Sequence, residues 1–197
     1  YDCARQFISK HPSRFFKDAI SNYRQAQRYL SKYTYPYDYG YICCKLSSLF
    51  FNYWKQKDDI QALRDSVSQL REAEKIFTPS QFPQFWADIQ GVLGYRLSVL
   101  GNLTHSADIC QLAINSYRNQ QKVLTEKREP LLWASAQENI GDLCYKIGVS
   151  EQNKELLEDA LECYHDALYL FENTSQSETI KRLLTSIAKT DMRLKNI

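Results

Sequence analysis

The stretch PLLWASAQENIG at residues 130–141 decides the fold of this chain, because a close copy of it, PQFWADIQGVLG, stands 47 residues earlier at residues 83–94. A third proline, Pro36, lies a further 47 residues upstream. Each of the three prolines is followed three residues later by an aromatic residue: Tyr39, Trp86 and Trp133. Self-similarity at a fixed period is the signature of a repeat array, so the chain is predicted to consist of stacked units.

The same period holds between the prolines without any gap. Four series of mostly apolar residues recur every 47 residues, and they start at Ala19, Ile20, Tyr23 and Leu30. In a fifth series an aliphatic residue always precedes a small one: Leu46-Ser47, Leu93-Gly94, Ile140-Gly141 and Ile187-Ala188. Positions that keep their apolar or small character in every unit are predicted to form the core.

The spacing within each unit is helical. Between Leu156 and Phe171 the apolar residues recur at steps of three and four, which places them on one face of a helix. Each unit is therefore predicted to be a pair of helices, A and B, and Gly101 and Gly148 are predicted to end two A helices in the left-handed conformation. The A helices are expected at roughly 37–55, 84–101, 131–148 and 178–195, and the B helices at roughly 13–32, 59–77, 106–126 and 153–173.

We therefore predict an all-α chain that forms a single repeat domain over residues 1–197. Its units are expected to cover residues 13–35 in part, then 36–82, 83–129 and 130–176 in full, and 177–197 in part.

Composition excludes several classes of protein. The net charge is only +2, and no run of about 18 apolar residues predicts a membrane span. The six cysteines lie within helical patterns, which indicates core thiols and a reducing, cytoplasmic compartment. No ligand spacing predicts a metal site, and no glycine-rich loop predicts a nucleotide cofactor. The three histidines match no nucleophile motif, so no catalytic residue is predicted and the chain is not expected to be an enzyme.

The A-x3-Y-x2-A pattern of Ala160, Tyr164 and Ala167, with the pair Ile140-Gly141 in the preceding helix, resembles the tetratricopeptide repeat. The resemblance spans nearly the whole chain, although the family's usual period is 34 residues. The longer motif P-x2-W-A-x2-Q-x2-I-G, which begins at Pro130, is similar to bacterial arrays found beside CHAT protease domains.

This resemblance implies a right-handed superhelical solenoid of about four repeats. It implies a scaffold that binds a peptide or helix of a partner protein, as the regulatory part of a larger signalling or protease assembly. The A helices would line the concave groove, and counting from the small residue of each A helix gives candidate groove positions. They are Tyr41, Phe51, Asp88, Tyr95, Glu138, Asp142, Tyr145, Arg182, Lys189 and Arg193. The alternative for the aromatic members is that their rings pack between helices.

Single-stranded RNA is the alternative ligand. Residues 1–56 carry nine Lys and Arg against three acids, and they contain many tyrosines that could stack on bases. The candidate contacts are Arg5, Arg14, Lys17, Arg24 and Arg28. Residues 129–173, which carry two Lys and ten acids, would repel phosphate. This opposition of charge between the two parts could steer an oriented partner or favour head-to-tail contact between copies. The alternative is that the acids form a solvated helix face opposite the apolar stripe.

The last predicted helix contains several apolar residues, although a terminal repeat is expected to be polar on its outer side. They are Leu183, Leu184, Ile187, Met192 and Leu194. Because terminal repeats normally present a polar outer face, we expect the outer side of this helix to be covered by a further helix or by a second copy.

Overall fold

The computed structural model describes residues 12–172 and 174–197, and it confirms the all-α class. Eight helices and no strand occur within these ranges. In chain order the helices are α1 (Pro12–Tyr29), α2 (Pro36–Lys57), α3 (Ile60–Ile76), α4 (Pro83–Thr104), α5 (Ala107–Gln121), α6 (Pro130–Glu151), α7 (Lys154–Phe171) and α8 (Ser177–Leu194). The A helices are α2, α4, α6 and α8, and the B helices are α1, α3, α5 and α7.

The turn from an A helix to the following B helix has the same construction three times. Asp58, His105 and Gln152 adopt positive φ angles of 52°, 51° and 52°, and they lie 47 residues apart. The next residue then caps the B helix with its side chain: Asp59 accepts from the Gln61 amide, Ser106 from the Ile109 amide and Asn153 from the Leu156 amide. These caps satisfy amides that would otherwise lack a partner in the first turn of each helix.

The prediction that Gly101 and Gly148 end their helices in the left-handed conformation was wrong. Both are helical, the helices continue to Thr104 and Glu151, and no described glycine has a positive φ. Their lack of a Cβ serves close packing instead. A Cβ on Gly148 would lie 3.0 Å from the side chain of Leu157, and one on Gly101 would lie 2.7 Å from the Cys110 sulfur.

The turn from a B helix to the next A helix also repeats. The amides of Tyr35, Phe82 and Glu129 donate to carbonyls four residues earlier, at 2.8, 2.8 and 2.9 Å. A proline then occupies the first position of α2, α4 and α6, where its missing amide costs no helical hydrogen bond. The backbone geometry of the turns therefore repeats every 47 residues, as the sequence does.

The chain divides into two compact units, residues 1–89 and 90–197. Unit 1 holds α1, α2, α3 and the start of α4. Its core contains Ile20, Ile42, Leu46, Phe50 and Ala62. A second cluster of aromatic rings surrounds Phe77, whose ring centroid lies 4.4 Å from Phe85, 5.5 Å from Phe82 and 6.4 Å from Tyr37.

Unit 2 holds the rest of α4 and the helices α5 to α8, and its helix pairs close around glycines. A Cβ added to Gly94 would lie 3.0 Å from the ring of Tyr117, and one added to Gly141 would lie 2.8 Å from the ring of Tyr164. Both rings are buried. The small residue predicted from the fifth series therefore marks the point where helix A receives the aromatic ring of helix B.

A row of partly buried polar contacts recurs two periods apart. In unit 1, Gln27 Nε2 donates to Cys43 Sγ at 3.2 Å and to Gln69 Oε1 at 3.0 Å. Two periods later, in unit 2, Gln121 Nε2 donates to Gln137 Oε1 at 3.2 Å, and Gln137 Nε2 donates to Asp166 Oδ2 at 2.8 Å. In unit 2 the Gln137 side chain of α6 thus links α5 to α7, whereas in unit 1 Gln27 of α1 reaches Gln69 of α3 directly. Our reading of the apolar series overlooked this row.

The five described cysteines are free thiols. Cys43, Cys110 and Cys144 are buried, as predicted for core cysteines, whereas Cys44 and Cys163 are half-buried. Burial raises the pKa of Cys43 and of Cys44 to about 11. Thiols with such pKa values are poor nucleophiles at neutral pH. Cys3 lies outside the described residues.

Replacing Leu157 by alanine is expected to lower the free energy of unfolding by about 2–5 kcal/mol, because Leu157 is fully buried against Gly148. Urea unfolding followed by circular dichroism measures this loss. The control is Leu132→Ala, which truncates an exposed leucine of α6 and should change stability by no more than about 0.5 kcal/mol. Equal losses in the two variants would contradict the packing described for α6 and α7.

Candidate protein-binding surfaces

Two predicted groove residues of α2 have opposite environments. The ring of Tyr41 is exposed, and the Nζ atom of Lys45 lies 4.8 Å from its centroid. Phe51 is only 3 % exposed, and its ring packs 5.0 Å from Trp54. The prediction that Phe51 lines an open groove was therefore wrong, because the helical rotation that exposes Tyr41 turns Phe51 into the core.

Tyr41 belongs to an exposed cluster of tyrosines, which we call the tyrosine patch. It starts at the end of α1, runs through the connecting turn and continues on the first turns of α2. Its members are Tyr29, Tyr33, Tyr35, Tyr37 and Tyr41. Tyr33 is the most open of them at 86 % exposure. Tyrosine is enriched at protein interfaces, so these exposed side chains make the patch a candidate binding surface.

The patch combines anchored and open rings with nearby cations. The Tyr37 ring meets Phe82 edge-on at 5.2 Å, which holds it against the aromatic cluster of unit 1. The Lys32 ammonium lies 5.4 Å from the ring centre of Tyr33. Contact with the Tyr41 hydroxyl raises the pKa of Lys45, so this side chain remains a cation at neutral pH. The patch therefore offers aromatic faces beside positive charge.

The next predicted groove positions are Asp88 in unit 1 and Tyr95 in unit 2, and both are exposed. Partial burial raises the pKa of Asp88. The guanidinium carbon of Arg96 lies 5.7 Å from the Tyr95 ring centre. Tyr145, on α6, is half-buried.

Three further predicted groove residues lie near one another in unit 2, and two of them form an ion pair. Arg182 of α8 donates from Nε and Nη2 to the two carboxylate oxygens of Glu138 on α6, at 2.6 and 3.0 Å. The Glu138 side chain is only 13 % exposed. Beside it, Tyr164 Oη donates to Asp142 Oδ1 at 2.8 Å. This acid–arginine network satisfies the charges of Glu138 and Arg182, which we had assigned to ligand binding, and it ties α8 to α6. Lys189 is exposed and Arg193 is half-buried.

The titration of this network follows from its surroundings. Part of Asp142 remains accessible to solvent, yet the protein atoms around its carboxyl group disfavour the charged form and raise its pKa. The hydrogen bond from Tyr164 and the charge of Arg182 oppose this effect but do not cancel it. Burial and the neighbouring Asp142 raise the pKa of Tyr164, so its hydroxyl stays protonated and continues to donate.

Each unit also contains a cleft between two B helices. In unit 1 a cleft of about 780 Å³ opens between α1 and α3. In unit 2 a smaller cleft of about 190 Å³ lies between α5 and α7. The clefts are equivalent, because Arg24 and Asp65 of the first lie two periods before Arg118 and Asp159 of the second.

The larger cleft has walls of opposite charge. Lys17, Arg24 and Arg28 of α1 line one side, and Asp59 and Asp65 line the other. Arg24 Nη2 lies 3.4 Å from Asp65 Oδ2, so part of the positive charge is already paired. Of the remaining predicted RNA contacts, Arg5 lies outside the described residues, as does the side chain of Arg14.

In the part of the chain that the structure describes, no helix is both long and apolar enough to cross a membrane. No group of three or more His, Cys, Asp or Glu side chains is arranged there to hold a metal ion.

In comparisons with known proteins, no protein-family model matches the chain and no curated protein is significantly similar to it. The function must therefore be argued from the surfaces themselves.

Asp142→Asn is expected to gain stability relative to the natural chain as the pH rises from about 3 to about 7. The raised pKa means that the folded state holds the Asp142 proton more tightly than the unfolded state does. The stability that this tighter proton binding contributes is complete below the pKa of Asp142 in the unfolded chain. It is lost as the pH rises through the pKa of Asp142 in the folded chain, whereas asparagine stays neutral. Urea unfolding at each pH tests this, and a stability difference that stays constant or shrinks would contradict it.

Proposed function

We propose that this chain is a non-catalytic scaffold that binds a peptide or helix of a partner protein. In this proposal the helix pairs are long tetratricopeptide-like repeats, wound as a right-handed solenoid. The chain would act as the regulatory part of a larger signalling or protease assembly. The described cysteines are free and buried or half-buried, which supports a reducing compartment, so we propose a cytoplasmic location.

The observation that carries this proposal is the exposure of the tyrosine patch. Tyrosine combines a large contact area with few rotatable bonds, so its burial against a partner costs little conformational entropy. Tyr33 and Tyr35 lie in the turn between α1 and α2, where a partner can reach their rings without disturbing a helix. Aromatic side chains of this kind dominate the binding energy of many protein interfaces.

The charge beside the patch indicates the chemistry of the partner. Lys32 and Lys45 contact the rings of Tyr33 and Tyr41, and Arg28 lies in the last turn of α1. Among residues 28–45 the only acid is Asp38. A segment that inserts apolar side chains between the rings and carries carboxylates would match both features. We therefore propose a partner segment that is both apolar and acidic.

The test is selection of a random 16-residue phage-displayed peptide library on the immobilised chain. Enriched peptides should contain apolar residues next to Asp or Glu. A variant with Tyr33→Ala, Tyr35→Ala and Tyr41→Ala should bind them about tenfold more weakly or worse, because it loses three exposed rings. Raising the salt concentration should weaken binding to the natural chain.

The matched control is Tyr169→Ala, which removes an exposed tyrosine of α7 in unit 2. It should leave peptide affinity unchanged. Circular dichroism establishes that each variant is folded. Peptides that bind the natural chain and the triple variant equally would refute the assignment of the patch.

Single-stranded RNA is a second candidate, favoured by the cleft of unit 1. Lys17, Arg24 and Arg28 line it together with Tyr29 and Tyr53, so cations and rings lie side by side. Asp59 and Asp65 in the same cleft oppose phosphate, and Asp65 pairs with Arg24. Tyr29 is the one member of the tyrosine patch that lines this cleft, and the four others lie in a segment whose only acid is Asp38, so protein binding is preferred.

A labelled 12-nucleotide oligouridine is expected to bind only weakly, with a Kd above about 100 μM at 0.15 M salt, because Asp59 and Asp65 lie in the cleft. Fluorescence anisotropy measures this affinity. Replacement of Lys17 and Arg28 by Ala serves as the control. Tight binding that these replacements abolish would support the RNA candidate over the protein scaffold.

A further inference from the structure

Two tyrosines of the B helices in unit 2 place their hydroxyl groups between neighbouring A helices. Tyr164 of α7 donates to Asp142 of α6, and nearby Ser186 of α8 partly offsets the rise in the pKa of Tyr164. The Tyr164 hydroxyl therefore lies between α6 and α8. Tyr117 of α5 is the equivalent residue 47 positions earlier, and its ring packs against the equivalent glycine of α4.

The hydroxyl of Tyr117 lies in the corresponding place between α4 and α6. Burial raises the pKa of Tyr117, and so do the nearby Tyr95 of α4 and Asp142 of α6. Ser98 of α4 is also close enough to oppose this rise. Groups from both A helices thus surround the Tyr117 hydroxyl.

This hydroxyl lacks the carboxylate that the Tyr164 hydroxyl has. Tyr117 is only 3 % exposed, and among the described residues its Oη atom has no hydrogen-bond partner. The position that Asp142 holds on α6 is occupied on α4 by Tyr95. Ser98 uses its own proton to donate to the Tyr95 carbonyl at 2.9 Å. Because a buried polar group without a partner is costly, we expect a bound molecule to supply one.

The charges around Tyr117 indicate what kind of group this molecule carries. Tyr164 occupies one acceptor position of the Asp142 carboxylate, which offers about four. Asp142 is exposed, and its charged neighbours Glu138 and Arg182 pair with each other, so the charge of Asp142 is left without a counterion. A group that satisfies both the carboxylate and the Tyr117 hydroxyl oxygen must donate hydrogen bonds, and a positive charge on it would complement the carboxylate.

We propose that the space between α4 and α6 binds a primary ammonium group, which donates to the Tyr117 hydroxyl oxygen and to the Asp142 carboxylate. An ammonium has three donors, so it can bond to both oxygens at once, and its charge balances that of the carboxylate. Tyr95, whose ring is 45 % exposed, adds an aromatic surface of the kind that attracts cations. A water molecule would satisfy the hydroxyl but would leave the charge of Asp142 unbalanced.

The ammonium group must come from outside the described part of the site. Lys146 lies one turn beyond Asp142 on α6, but its ammonium donates to Asn102 of α4, where it joins the two helices. The two possible sources are a lysine side chain of a partner protein and a small free amine. The site lies in unit 2 and the tyrosine patch lies in unit 1, so this inference does not rest on the proposed function.

The test is a titration of the isotope-labelled chain with three small molecules, followed by two-dimensional NMR. N-acetyl-lysine methylamide should bind with a Kd of about 1 mM or lower and should shift the amide signals around Tyr95 and Asp142. N-acetyl-norleucine methylamide, which lacks the ammonium, should bind at least about tenfold more weakly. n-Butylamine separates the two sources: weaker binding than the lysine derivative assigns the site to a protein segment, and equal binding assigns it to free amines.

Three variants of the chain locate this binding. Tyr117→Phe keeps the ring and removes the hydroxyl, so it should weaken binding of the lysine derivative about tenfold without loss of stability. Asp142→Asn removes the charge and should weaken binding about tenfold or more. The matched control is Asp108→Asn, which makes the same change at an exposed acid in the first turn of α5 and should leave binding unchanged. Circular dichroism establishes that each variant is folded.

Three results would overturn the proposal. One is the absence of saturable binding of the lysine derivative up to about 20 mM, far above the expected Kd, which would leave a water molecule as the partner of Tyr117. The second is equal binding of the lysine and norleucine derivatives. The third is binding of the lysine derivative that persists unchanged in both Tyr117→Phe and Asp142→Asn, which would place the ammonium elsewhere on the chain.

Discussion

In each pair, helix A approaches helix B closely at one small residue, and the rest of the pair depends on this constraint. Where Gly141 faces Tyr164, the absence of a side chain lets the ring approach the backbone of α6 closely. The buried ring then directs its hydroxyl to Asp142. That carboxyl group lies beside Glu138, which holds Arg182 and with it α8. One missing Cβ is thus connected, contact by contact, to the placement of the next A helix.

Much of this architecture could be predicted from the sequence, because the features that determine it are local or periodic. The prolines at the first helical positions and the aliphatic–small pairs recur at one spacing, and they locate the helices to within a few residues. The left-handed residues could not be predicted in the same way. Asp58, His105 and Gln152 adopt a conformation that glycine usually takes, so a search for glycines led to Gly101 and Gly148 instead.

The candidate surfaces were harder to predict, because exposure and charge pairing depend on how helices rotate against one another. Phe51 and Tyr41 lie on the same helix, and only the structure shows that one is core and the other is surface. Counting along the period identified Glu138, Asp142 and Arg182 as groove positions, but it could not show that Arg182 is already paired with Glu138 and that Asp142 accepts from Tyr164. The period did carry a signal for the amide row, since Gln90 and Gln137 occupy the same position in successive units. We missed it because polar residues were treated as surface.

The gap-free spacing of 47 residues has a consequence for how such a chain can change. Inserting or deleting a single residue inside a helix rotates everything beyond it by about 100°, which would turn the core face of that helix toward solvent. The turn residues Asp58 and Asp59, His105 and Ser106, and Gln152 and Asn153 would also lose their place relative to the helices they join. Loss or gain of a whole 47-residue repeat keeps the turn residues of every remaining repeat in place. The array is therefore expected to vary in length by duplication or removal of complete 47-residue blocks, while sequence change within a block is confined to substitution.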